Sequence, residues 1–177
     1  MIGELSALSA SALWACASVL FTRLGDHLSA PALNLTKTTL AGVLLFGTLV
    51  LTQGAFWPPD LTVAETGWLA VSGIIGLTIG DTLMFKAFEQ IGPRRTLLFT
   101  ALAPPLTAAL AWPVLGEPIT LLMASGIVVT VGGVAWVVSE RAGAGPTGAV
   151  PRAGYLFAAG AAVCQALGNV ATKLGGT

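Results

Sequence analysis

The chain has 177 residues, 55% of them hydrophobic and 9% charged, against about 25% charged in an ordinary soluble domain. Eight acids balance eight bases beside one His and two Cys, which leaves no support for nucleic-acid binding, a histidine metal cluster or a disulfide framework. The composition is that of an integral membrane protein.

Six apolar segments approach the roughly 20 residues that span a bilayer's hydrocarbon core. The first runs from about Leu5 to Thr22. Its leading residues, MIGEL, carry an acid and no base, the reverse of a signal peptide's positive start, so it reads as a span. Trp14 lies mid-span, too deep for an aromatic belt at the headgroups, and either packs the bundle or lines a pathway. The second segment, about Leu33 to Thr52, takes in Lys37 near its start beside Asn34, Thr36 and Thr38. Snorkelling to the interface accounts for that lysine without any function.

The third segment, about Gly67 to Phe88, holds Asp81. At 1.5 Å per residue that acid is roughly 20 Å along from Trp68. A charge at such depth costs about 3 kcal/mol on insertion scales and faces a cavity or a partner. Two readings stand: substrate or proton binding, or a structural role as a neutral acid or a pair with Lys37 or Lys86. Gly73, Gly76 and Gly80 precede it and permit a close helix approach. Lys86 and Glu89 read as an interfacial pair at the helix exit.

The fourth segment, about Thr96 to Leu115, carries Pro104 and Pro105 in its middle. There they would free the carbonyls of Thr100 and Ala101, which lipid cannot satisfy. Either this helix lines a cavity, or Thr100 or Thr107 relieves a packing kink. Asp81, Trp14, Lys37, Thr100 and Pro104 are the candidates for a substrate or proton pathway. Gly116 and Glu117 then form a structural turn, with Glu117 capping the fifth segment, Ile119 to Val138, which bears no charge on any face. Residues 139–153 read as a Gly- and Pro-rich linker before the sixth segment, about Gly154 to Thr172. In that segment Gln165 and Asn169, one turn apart, suit hydrogen bonds between helices.

LFTRLG at 20–25 aligns with VATKLG at 170–175, pairing Thr22 with Thr172, Arg23 with Lys173 and Gly25 with Gly175. With the linker, this match predicts a five-helix unit over 1–138 and the first helix of a second unit over 154–177. Because five is odd, the second copy enters the membrane inverted, as in many secondary transporters. The expected architecture is therefore all-α, six transmembrane helices of a truncated ten-helix transporter. A second repeat or self-association would complete the pathway.

The stretch from Leu98 to Val138 resembles the fourth and fifth helices of the EamA family of the drug/metabolite transporter superfamily. The likeness rests on a proline in an apolar helix, Leu115–Gly116–Glu117, Thr120, and a helix containing Gly126, Gly132 and Gly133. GLTIGDTLMFKAFEQIGP resembles the family's third helix, and Trp14 sits where a first-helix tryptophan is common. The doubled proline and the missing second half depart from the pattern. The resemblance implies transport of small metabolites or drug-like compounds, with export by a secondary carrier in the cell membrane, its inner membrane in a two-membrane cell. It implies no enzyme activity and no cofactor. The alternative is a non-transporting scaffold or an inactive truncated product. An intramembrane aspartyl protease would want Gly-x-Gly-Asp, and Thr78 occupies the first glycine position. The odd-numbered connections hold most of the Lys and Arg, which predicts that they are cytoplasmic and the N-terminus outside.

Overall fold

A computed structural model describes residues 2–54, 61–141 and 152–176. Most of the predicted linker, residues 142–151, lies outside the described residues. The elements are α1 (Ile2–Gly25), α2 (Ala30–Gln53), α3 (Val63–Ser72), a π-helical segment (Gly73–Gly80), α4 (Asp81–Thr100), α5 (Ala103–Leu115), α6 (Leu121–Arg141) and α7 (Arg152–Leu174). No strand occurs among the described residues. Among the described residues, five helical stretches have the length and composition to cross a membrane, and α5 is a shorter apolar helix. The protein is an all-α integral membrane protein.

The longest of these stretches covers Val63–Thr100, 38 residues, nearly twice what a span requires. It is not one rod. Gly92 adopts φ 76°, ψ 166°, a conformation that a residue with a Cβ rarely takes, and Pro93 follows it. The neighbours on α7 reveal what this break does. From Gly76 to Gly80 to Leu83 to Ile91, the partners are Gly168, Cys164, Gly160 and Gly154, falling in number as the chain rises. Past Gly92 they rise with it: Phe99 meets Tyr155 at 5.9 Å between ring centroids, Thr107 meets Asn169, and Glu117 meets Lys173. The chain therefore runs antiparallel to α7 up to Gly92 and parallel to it afterwards.

This reversal sorts the helix ends onto two faces. Gly25, Glu89 and Gly154 lie toward the Gly92 end, and Glu65, Glu117, Lys173 and Gly175 toward the Gly116 end. Arg94, Arg95 and Arg152 flank the Gly92 turn in sequence and in space, so that face is the basic one. Lys37, near the start of the second apolar segment, lies inside the bundle.

The two adjacent prolines do not kink a continuous helix. Ala101 and Leu102 form a turn, α5 starts at Ala103, and Pro104 and Pro105 fall in its first turn. Proline's missing donor is harmless there, since the first amides of a helix have no partner inside it. The Thr100 hydroxyl donates to Leu97 O at 2.8 Å and that of Thr107 to Ala103 O at 2.8 Å, so neither relieves the expected carbonyls.

α7 is the packing centre, set against α3, the π segment, α4 and α5. Its side facing them is small: Gly154, Ala158, Ala161, Ala162 and Gly168 are all buried. A Cβ on Gly154 would come 2.4 Å from Ile91 Cγ2, so the close approach excludes any side chain there. A second cluster joins Ala30 and Leu33 of α2 to Met84, Phe85 and Phe88 of α4, with Phe21 of α1 edge-on to Phe85 at 5.2 Å. The outward faces of α1, α2 and α6 stay apolar, with Leu13, Leu45 and Val129 each about 70% exposed, as suits helices bordered by lipid.

Candidate functional site

The site is built on the π segment. A π turn bonds each amide five residues back, as Asp81 N–H does to Gly76 O, and its wider winding is often found at functional positions. Opposite it stands Asn34 of α2, only 5% exposed. The Asn34 Nδ2 hydrogens are shared among Leu77 O at 2.8 Å, Thr78 O at 3.1 Å and Thr82 Oγ1 at 3.0 Å. Asn34 Oδ1 in turn accepts from the Thr38 hydroxyl at 3.1 Å. One α2 residue thus ties two carbonyls of the irregular turn to its own helix.

Nearly one turn further along α2, the Lys37 ammonium donates to Asp81 Oδ2. The two side chains are 19% and 9% exposed, so this pair is well shielded. Lys37 also lies over the Phe85 ring, 5.8 Å from its centroid, a distance at which the ring face attracts a cation. Snorkelling, the plain sequence reading of Lys37, is therefore replaced by an inward pair. Lys86 likewise does not join Glu89 in an ion pair. Its ammonium sits 5.5 Å from the Phe157 ring centroid.

A cavity of about 340 Å³ opens beside the pair. Trp14, Lys37, Asp81, Thr100 and Gln165 line it together with the apolar Leu77, Met84 and Ala161. Four of the five pathway candidates named from sequence converge there, drawn from α1, α2 and the two ends of α4. Trp14 borders the cavity and also packs edge-on against Phe21, 6.4 Å between ring centroids. Pro104 stands apart, in a second space of about 400 Å³ with Thr107, Glu117, Asn169 and Lys173.

The Gly116 turn differs in one respect from its sequence reading. Gly116 closes α5 in the left-handed region at φ 68°, its N–H donating to Trp112 O at 3.1 Å. Glu117, expected to cap the next helix, lies four residues before α6 begins and pairs with Lys173. Thr120 takes the capping role, its Oγ1 accepting from Met123 N–H at 3.2 Å.

Sequence reasoning passed over Asn34 as a site residue and saw in Gln165 only a helix-packing amide. Asn34 stands three residues before Lys37, and the polar positions Gln165, Asn169 and Lys173 repeat every fourth residue. Those spacings were the available signals. Among the described residues no group of three or more His, Cys, Asp or Glu side chains is placed to hold a metal.

Against protein families, residues 1–139 match the EamA-like transporter family. The chain belongs to that family. Membership places this EamA-like chain in a membrane transporter family of the drug/metabolite superfamily, and the apolar helices agree with a bilayer setting and a small-molecule substrate. No curated protein and no solved structure matches the chain.

Proposed function

We infer that this EamA-like chain carries small metabolites or drug-like compounds out across the cell membrane as a secondary carrier, binding them in the cavity beside Lys37 and Asp81. Residues 1–138 serve as one five-helix repeat and α7 as the first helix of an inverted second one. A second repeat or a second copy supplies the opposite wall. The observation that carries this reading is the shielded Lys37–Asp81 pair bordering an open space within membrane-spanning helices. Ionisable residues at such depth are costly to keep and generally mark a pathway or a relay. Trp14 offers an aromatic wall, Thr100 and Gln165 neutral hydrogen-bonding groups, and the pair both signs of charge.

The test is Asp81→Asn in proteoliposomes, with a panel of radiolabelled small metabolites and fluorescent drug-like cations as cargo and an imposed proton gradient. Gradient-driven flux is expected to vanish while expression and monodispersity in detergent persist. An Asn variant that keeps full gradient-driven flux would rule out coupling through this carboxylate.

A further inference from the structure

We propose that the groove between α5 and α7 is the route from the Lys37–Asp81 cavity to the Gly116 face, and that the Glu117–Lys173 ion pair is its gate. The proposal rests on the transport reading above. It starts from the order of the two spaces along the same helices. Thr100 borders the inner space and Pro104 and Thr107 the outer one. On α7, Gln165 borders the inner space and Asn169 and Lys173 the outer one. Residues four apart stack on one helix face, so Gln165, Asn169 and Lys173 form a polar stripe. At 1.5 Å per residue, Lys173 stands about 12 Å beyond Gln165, enough to lead from the interior of a span to its surface.

Two closures interrupt this stripe. Asn169 Nδ2 donates to Thr107 Oγ1 at 3.3 Å, a long and therefore weak bond between α7 and α5. Beyond it, Lys173 at the end of α7 reaches Glu117 on the turn set by Gly116, with side chains 53% and 46% exposed. An ion pair that open to solvent is weak, which suits a contact that must break and re-form. The inner pair has the opposite character, being shielded from water. The outer walls present amide, hydroxyl and ammonium donors with one carboxylate, so the route fits a small hydrogen-bonding solute.

The experiment uses the full chain with Cys16 and Cys164 replaced by Ala and a single reporter, Gln165→Cys, in oriented vesicles. A membrane-impermeant maleimide is applied from the Gly116 face. Labelling should accelerate roughly two- to fivefold, the range an exposed pair supports, in Glu117→Ala and in Lys173→Ala. It should return to the parent rate in the charge swap Glu117→Lys with Lys173→Glu. Raising ionic strength on the reporter chain alone should also accelerate labelling, because salt screens exposed charges. That arm needs no gate variant to fold. Rates unmoved by both salt and substitution overturn the gate and make the pair a strap that only fastens the turn to α7. Labelling needs no cargo, so such a result leaves the Asp81→Asn test of transport standing, and a failure of that test leaves the labelling result standing.

Discussion

Gly168 and Gly76 meet backbone to backbone: a Cβ placed on Gly168 would stand 3.2 Å from Gly76 Cα and 3.4 Å from Ser72 O. Neither neighbour is the tip of a flexible side chain, so a larger residue must push α7 away from the π segment. Gly168→Val is expected to destabilise by about 1–3 kcal/mol, the usual cost of overpacking. Gly132→Ala on α6, where a Cβ would meet nothing within 4 Å, should be neutral or slightly stabilising. Thermal unfolding of the two variants in detergent makes the comparison.

The Lys37–Asp81 pair should behave as one unit. Removing either partner alone, by Lys37→Met or Asp81→Leu, leaves a shielded charge without its counterion and is expected to cost about 3–5 kcal/mol. The double variant should recover most of that stability while remaining inactive in flux. A double-mutant cycle on unfolding free energy measures the coupling. Additive single losses would show that the two side chains act separately.

Asn34→Leu removes the donor shared by Leu77 O, Thr78 O and Thr82 Oγ1. Loss of these part-buried hydrogen bonds is expected to cost about 0.5–1.5 kcal/mol. Hydrogen exchange should quicken first at the amides of residues 73–82, before the rest of the bundle responds. Uniform quickening along the chain would mean that Asn34 holds the fold in general rather than the π segment in particular.

Gly92→Ala forces a Cβ into φ 76°, ψ 166°, a region that glycine nearly monopolises. The expected loss is about 1–3 kcal/mol, although a Cβ there would touch nothing within 4 Å. The penalty is therefore conformational rather than steric packing. Gly126→Ala, at a helical glycine equally free of neighbours, is the control, and chemical denaturation of both reads the difference.

Much of this arrangement was legible in the residues. Apolar segment lengths placed the helices, since lipid demands closed backbone hydrogen bonding over a fixed thickness. The depth of Asp81 marked an ionisable group in need of a partner, and Lys37 was among those weighed. What stayed hidden depended on angular position around helix axes. Whether Lys37 turned inward or toward the interface follows from its contact with α4, which spacing along α2 does not encode. The π segment was invisible because its apolar sequence, GIIGLTIG, suits several windings, and the Asn34 and α7 contacts that meet it come from residues distant in sequence. The proline pair misled because an apolar run conceals a turn: Ala101 and Leu102 carry no turn chemistry, and only the broken ladder before Ala103 reveals the new helix start.

A membrane voltage does work on net charge alone, about 2.3 kcal/mol per elementary charge for each 100 mV. Since Lys37 and Asp81 cancel one another while joined, a rearrangement that moves them together crosses the electric field without electrical work. Any net current per cycle then reports the summed charge of the cargo and its accompanying ions, and an electrode reads that sum.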